Sequence, residues 1–251
     1  MTSALKVAQL VLKVQDKTLL DRIDLDVQAG GIHLILGPNG AGKTLLLRCM
    51  AGVLQPTSGN IMLAQTNVPL PLCWTPLSSA LPFAFTVQEL VLMGRYPWHQ
   101  GFPGKSDREA ADKALLRVGM QGFAQRVYNS LSRGEQTRVD LARAIAADSP
   151  VMLFDEPFAN LDIDASLHLT LLFAELAREG RTLVLSHHDL YSARSLATHL
   201  VFLKQGKLVA AGPCPEFFTP DMIRRTYDVE ARIHEEQDTG EWFIRFQNVT
   251  R

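Results

Sequence analysis

The sequence predicts an α/β fold built on a mostly parallel sheet, and three observations carry that prediction. The octapeptide Gly37-Pro38-Asn39-Gly40-Ala41-Gly42-Lys43-Thr44 fits the phosphate-loop pattern G-x-x-x-x-G-K-[ST]. It lies between the apolar run Ile32-His33-Leu34-Ile35-Leu36 and Leu45-Leu46-Leu47, a strand–loop–helix setting. From residue 150 onward, short apolar runs alternate with helical segments, the order that gives parallel strands joined by crossovers. The first of these runs, Pro150 to Phe154, is apolar throughout, as a strand buried on both faces must be.

The remaining elements follow in chain order. Residues 5–14 and 18–27 read as two strands joined by a turn at Gln15-Asp16, an antiparallel β part ahead of the phosphate loop. A helix is expected over roughly 42–53, then a turn cluster at Pro56-Thr57-Ser58-Gly59 and short strands at 60–64 and 72–75. Residues 86–148 read as helical, broken at Pro97, at Gly101-Phe102-Pro103-Gly104 and at Gly122. The later alternation gives a helix at 164–179, a strand at 181–186, a helix at 189–197 and a strand at 199–204. The tail, about 228–247, reads as a hairpin around Gln237-Asp238-Thr239-Gly240, with the acidic Glu235-Glu236-Gln237-Asp238 at its solvated end.

Composition narrows the classes of function. Of 251 residues, 47% are apolar, enough for a substantial core. The net charge of −1 gives no footprint for nucleic acid or for an anionic membrane surface. Cys49, Cys73 and Cys214 have neither disulfide nor metal spacing, which fits a reducing compartment. The start, Met1-Thr2-Ser3-Ala4-Leu5-Lys6, lacks the apolar run of a signal peptide, and no apolar run reaches the length of a membrane span. Work at a membrane therefore requires a partner that does the spanning.

The phosphate loop carries the chemistry. Its glycines let the backbone approach a polyphosphate, whose oxygens then face successive N–H groups and a helix N-terminus. Lys43 is expected on the β- and γ-phosphates, and Thr44 on Mg²⁺ through its hydroxyl. Asp155 and Glu156 close the apolar strand at its carboxyl end, where ligands of parallel sheets collect. Asp155 suits the Mg²⁺ shell there, and Glu156 suits the polarising of an attacking water. Taken alone, the pair is equally a helix cap. Ser132 and Glu135 form an S-x-x-E capping box ahead of a helix to about Ala147, which explains the pair without any ligand.

Taken in order, these segments resemble the ATP-binding cassette (ABC) ATPases. Leu131-Ser132-Arg133-Gly134-Glu135-Gln136 is similar to the signature motif. Asp155-Glu156-Pro157-Phe158-Ala159-Asn160-Leu161-Asp162 resembles the Walker B and D-loop. His188-Asp189-Leu190 resembles the switch-histidine region, with His188 rather than His187 in the usual place before the aspartate.

The resemblance implies an ABC ATPase cassette in one domain over 1–251. Its parts would be a mostly parallel core sheet, an antiparallel β part, a helical subdomain at about 86–148 and the hairpin at about 228–247. The implied cofactors are ATP and Mg²⁺. Gly37 through Leu45 would hold the nucleotide; Thr44 and Asp155 would hold the metal; Lys43, Glu156 and His188 would be catalytic. The implied assembly is a head-to-tail homodimer in which Ser132, Arg133, Gly134 and Glu135 face the partner's ATP. Physically, the second helix N-terminus is a positive dipole end for a γ-phosphate that the first does not own.

Phe83-Ala84-Phe85-Thr86-Val87-Gln88-Glu89-Leu90-Val91 and Gly94-Arg95-Tyr96-Pro97-Trp98-His99 look like importers of iron chelates, haem and cobalamin, and the second run is closest to ferric hydroxamate-type siderophore ATPases. The aromatics also serve core packing. Two permease subunits, a periplasmic or extracellular binding protein, and a place on the cytoplasmic face of the bacterial membrane follow from the resemblance. Exporter ATPases, soluble ABC proteins of repair or translation, and a nucleotide-binding regulator without turnover are the alternatives. Repair and translation members carry zinc or coiled-coil insertions, or paired cassettes, and this chain shows neither.

Three positions depart from the family pattern. Leu77 stands where a glutamine normally opens a loop on the Mg²⁺ shell, and it cannot accept a hydrogen bond; Ser78 and Ser79 are the nearby polar replacements. Arg133 replaces the first signature glycine, a bulky cation that also attracts phosphate. Val14 stands where an aromatic normally stacks on adenine.

Overall fold

A computed structural model of the chain describes residues 2–65, 67–75, 83–99, 101–159, 161–236 and 242–247. The strands are β1 (Ser3–Val14), β2 (Lys17–Gln28), β3 (Gly31–Leu36), β4 (Ser58–Leu63), β5 (Leu72–Thr75), β6 (Val151–Phe154), β7 (Thr182–Ser186), β8 (His199–Lys204), β9 (Lys207–Pro213), β10 (Glu230–Glu235) and β11 (Trp242–Gln247). The α-helices are α1 (Lys43–Met50), α2 (Val87–Leu92), α3 (Lys105–Arg117), α4 (Arg133–Ala146), α5 (Ile163–Arg178), α6 (Leu190–Leu196), α7 (Cys214–Phe217) and α8 (Pro220–Tyr227). Residues 1–62 with 185–251 form one compact unit and residues 63–184 another.

In the first unit β1 and β2 pair antiparallel and β4 adds to β1, giving the order β2-β1-β4. Leu20, Ile23, Leu25 and Val27 of β2 are buried while residues between them face out, the alternation of a sheet with one wet face. The β3 strand is buried from Ile32 to Leu36 and pairs parallel with β8, which pairs antiparallel with β9. This part of the sheet has the order β3-β8-β9. The strands β10 and β11 pair antiparallel in continuous register from Glu230–Gln247 to Glu235–Trp242.

In the second unit the order is β5-β6-β7, and β5 pairs parallel with β6. The side chains of β6 are all buried, as its apolar run requires. Helix starts follow local chemistry. Thr86 with Glu89 and Ser132 with Glu135 form capping boxes, and Asp162 Oδ1 accepts from Ala165 N–H at 2.8 Å.

Three sequence expectations need correction. Pro97 lies inside the helical run and not at its break; the chain tightens into a 3₁₀ helix over Met93–Trp98 and ends one residue past the proline. The first strand after α1 begins at Ser58, inside the expected turn cluster. Residues 205–227 carry β9, α7 and α8, none of which the apolar periodicity marked. The hairpin turn at 237–240, the loop around Leu77, Ser78 and Ser79, and Asn160 lie outside the described residues.

Candidate nucleotide-binding site

In the first unit the phosphate loop leaves the end of β3 and enters α1 at Lys43. Gly37 is buried, and a Cβ there would lie 2.2 Å from the carbonyl oxygen of Leu203 in β8. No other residue fits so close to a neighbouring backbone. Ala41 N–H donates to Pro38 O at 3.1 Å, closing the loop on itself. Gly206 N–H, in the β8–β9 turn, donates to Ala41 O at 2.9 Å, and Gly206 O accepts from Asp21 N–H of β2 at 2.8 Å. The loop is thus braced from behind by two strands that the motif does not contain.

Lys43 is 6% exposed, and its Nζ donates to the carbonyls of Gly37 at 2.8 Å and Pro38 at 3.3 Å. The ammonium is therefore lodged inside the loop's curve, a cation held where phosphate oxygens would arrive. Asn39 and Gly40 are exposed at the tip, and Thr44 and Leu45 are half-buried in the first turn of α1.

Beyond β7 the chain reaches two adjacent histidines. His187 is buried, its N–H donates to Ile35 O of β3 at 3.0 Å, and its Nε2 lies 2.6 Å from Ser192 Oγ. The Ser192 hydroxyl donates to Asp189 Oδ2 at 2.6 Å, so its proton is committed and His187 Nε2 must be the donor of the first bond. Burial pushes the His187 pKa down to about 4; Asp189 opposes this, while His188 and Lys43 add to it. His188 is exposed, with its ring centroid 5.7 Å from that of His187. Asp189 caps α6 by accepting from Tyr191 N–H at 2.9 Å and Ser192 N–H at 3.0 Å. Burial works to raise its carboxyl pKa, but the Ser192 hydroxyl first, with these two N–H donors, outweighs it and holds the group below the usual range. Val14 is exposed at the tip of β1.

In the second unit Asp155 and Glu156 follow β6 and are both half-buried. Glu156 has φ +48°, a left-handed conformation that a residue with a Cβ adopts at a cost. Its carbonyl accepts from Ala159 N–H at 3.0 Å in a tight turn. Ser132 caps α4: Ser132 N–H donates to Glu135 Oε2 at 2.7 Å, and Glu135 N–H donates to Ser132 Oγ at 3.4 Å. The first of these bonds is the main force holding the Glu135 carboxyl below its ordinary range. Arg133 is exposed and Gly134 half-buried, and a Cβ on Gly134 would meet nothing within 4 Å.

The far end of α4 is also tied down. Arg95 Nη1 donates to Ala146 O at 2.9 Å, Trp98 Nε1 donates to Ala147 O at 2.8 Å, and the Arg95 guanidinium lies 4.5 Å over the Trp98 ring. The Gly-Arg-Tyr-Pro-Trp-His run therefore caps the C-terminus of the signature helix, while Tyr96 stays exposed.

Sequence reasoning singled out the loop, the carboxylates and His188 as candidates, and the Ser132–Glu135 capping box forms as expected. It missed the β8–β9 brace and the His187–Ser192–Asp189 chain, which connect residues distant in sequence or lack a motif. Among the described residues no group of three His, Cys, Asp or Glu stands ready to hold a metal alone.

Comparison with known proteins identifies the family of the chain. The cobalamin import ATP-binding protein of Halobacterium salinarum is 35% identical over 245 residues, covering 94% of this chain, and the chain spans 62% of that relative's length. The ferric enterobactin transport ATP-binding protein of Escherichia coli is 34% identical over 243 residues, covering 92% of this chain and 90% of the relative. A solved structure described as a metal-chelate type ABC transporter in an inward-facing conformation superposes with a TM-score of 0.87 at 26% identity, over 100% of this chain and 99% of that one. With the ABC transporter family profile also matching residues 20–159, more than half of its length, the chain belongs to the ABC transporter family and has the fold of that family's ATPase cassette.

Proposed function

We propose that this chain is the ATP-hydrolysing subunit of a bacterial importer that takes up an iron chelate, haem or cobalamin through a membrane permease. The observation that carries the nucleotide half is Lys43, a buried ammonium held by the carbonyls of the loop that would wrap the phosphates. The import half is supported by relatives that act on cobalamin and on ferric enterobactin, and by the 83–99 segment. No helix among the described residues is long and apolar enough to cross a membrane, in keeping with two separate permease subunits and a place on the cytoplasmic face.

In this reading Gly37 through Leu45 bind the polyphosphate, with Lys43 on the β- and γ-oxygens. Thr44 and Asp155 offer a hydroxyl and a carboxylate, hard oxygen donors that fit Mg²⁺ when the phosphates complete its shell. When bound, Mg²⁺ would supply positive charge against the phosphates. Glu156 accepts a proton from the attacking water, and His188 hydrogen-bonds the γ-phosphate. Ser132, Arg133, Gly134 and Glu135 serve the ATP of a second copy, so that ATP joins the dimer and hydrolysis releases it. A binding protein outside the membrane would deliver the cargo to the permease.

The test is ATP turnover and uptake by the chain reconstituted with its permease, using a ferric siderophore, haem and cobalamin in turn. Glu156→Gln is expected to keep nucleotide binding and to lose roughly 10²–10⁴ in hydrolysis rate. Normal hydrolysis by that variant removes Glu156 from the role. Nucleotide binding without any wild-type turnover makes the chain a regulator instead.

A further inference from the structure

We propose that the strand pair β10–β11 is a positioning element for His188, acting through α6, with Trp242 as its principal residue. The proposal rests on the reading of His188 given above. It starts from the size of α6. Seven residues make less than two full turns, and such a helix holds its place by what packs on it rather than by its own bonds. Its inner face is buried through Leu190, Ala193 and Leu196. Its outer face is held by the C-terminal strands.

Trp242 stacks on Tyr191 with ring centroids 4.9 Å apart and planes 26° apart. The Arg194 guanidinium lies 4.9 Å from the centre of the same indole ring. Phe218 meets the indole edge-on at 5.4 Å. Arg194 Nη2 also donates to Glu235 Oε2 at 2.9 Å, so the guanidinium contacts both strands of the pair. An indole engaged at once by an aromatic ring, a cation and a second ring is a fixed anchor and not a surface ornament.

The opposite end of this grip is the His188 turn. Tyr191 and Arg194 sit in the first turns of α6, and the cap of that helix is Asp189, next to His188. Ser192, between Tyr191 and Arg194, closes the chain Asp189–Ser192–His187, and His187 N–H is fixed to β3 through Ile35 O. The turn carrying His188 is therefore pinned at its start by β3 and at its end by a helix whose angle the indole sets. The ring contacts of Trp242 described above are with Tyr191, Arg194 and Phe218, outside the phosphate loop, so its loss should misplace the histidine and leave nucleotide binding intact. Such a misplacement of about 1 Å costs on the order of a hundred-fold in rate.

The experiment compares the full-length wild type with Trp242→Ala and Trp242→Phe. Measured quantities are kcat and KM for ATP, binding of a fluorescent ATP analogue, and hydrogen exchange at residues 187–196 and 37–44. For Trp242→Ala we expect kcat reduced by about ten- to a hundred-fold, KM within about two-fold of wild type, and faster exchange at 187–196 only. Trp242→Phe keeps a ring for Tyr191 and Arg194 and is expected near wild type. Unchanged exchange at 187–196 in Trp242→Ala overturns the proposal. So does acceleration that spreads to 37–44, which would make Trp242 a general stability residue. If the wild type itself does not hydrolyse ATP, the proposed function falls, and the exchange comparison still decides whether the strand pair positions the turn.

Discussion

Arg95 and Asp107 form a buried ion pair at 3.2 Å, and the same guanidinium caps the C-terminus of α4 through Ala146 O. One side chain thereby binds the 3₁₀ turn, the start of α3 and the end of the signature helix. Asp107 accepts in addition from Gly104 N–H at 2.9 Å, and this bond, then Arg95, holds its carboxyl below the usual range. Arg95→Ala leaves Asp107 buried without its cation and is expected to cost about 3 kcal/mol or more. Chemical denaturation measures it. A cost below about 1 kcal/mol would mean that the pair is not buried in solution.

Glu156 poses a conflict between fold and chemistry. Its left-handed backbone costs about 1–2 kcal/mol for a residue with a Cβ. Glu156→Gly should therefore fold at least as stably as wild type while losing hydrolysis. Glu156→Val should lose both hydrolysis and about 1–2 kcal/mol of stability. Thermal unfolding beside an ATPase assay separates the two effects.

His33 couples stability to acid. It is 2% exposed, its Nε2 donates to Gln28 O at 2.9 Å, and its ring stacks on His199 at 4.6 Å. Burial first, then the charge of His199, pushes its pKa from 6.5 to about 4. Above pH 6.5 the ring is neutral in both the folded and unfolded chain and contributes no slope. Between 6.5 and about 4 the unfolded chain takes up a proton that the folded one refuses, so stability falls as the pH falls. His33→Gln is expected to remove up to one proton's share of that slope, about 1.4 kcal/mol per pH unit. Urea titrations from pH 7.5 to 4.5, at about half-unit steps, give the comparison.

Lys43→Ala removes the ammonium that Gly37 and Pro38 hold in the loop. Binding of a fluorescent ATP analogue is expected to weaken by at least about ten-fold, the loss of one charge-assisted phosphate contact. The fold should survive, because Gly37 still packs on Leu203 and Ala41 on the β8–β9 turn. Binding at wild-type strength would refute the assignment of this loop to phosphate.

Much of this was legible in the sequence because the determinants are local. The β3 run, the phosphate loop and Lys43 lie within thirteen consecutive residues, and β6 is apolar without interruption. Ser132 and Glu135 announce their helix by spacing alone. What periodicity did not show is where long-range packing decides. The β9 strand contains Gly212 and ends at Pro213, and it alternates too weakly to stand out; it exists because β8 offers a paired edge. Helix α8 carries its own start signal in Thr219-Pro220, yet it is short and buries only Ile223 and Thr226. His33 reads as a polar interruption of an apolar strand, and nothing local places His199 beside it. The aromatic run at 94–99 marked a resemblance, but its work as a cap for α4 depends on residues fifty positions downstream.

The brace behind the phosphate loop has a bearing on biosynthesis. Gly37 packs against Leu203, and Ala41 takes its hydrogen bond from Gly206, more than half the chain later. Contacts so remote are the last that a growing polypeptide can make. While the ribosome is still translating the helical middle of the chain, residues 37–44 have emerged without the strands that shape them. Competence to hold a nucleotide is thus deferred until β8 and β9 leave the exit tunnel, and a nascent chain cut short before them carries the full motif without the pocket.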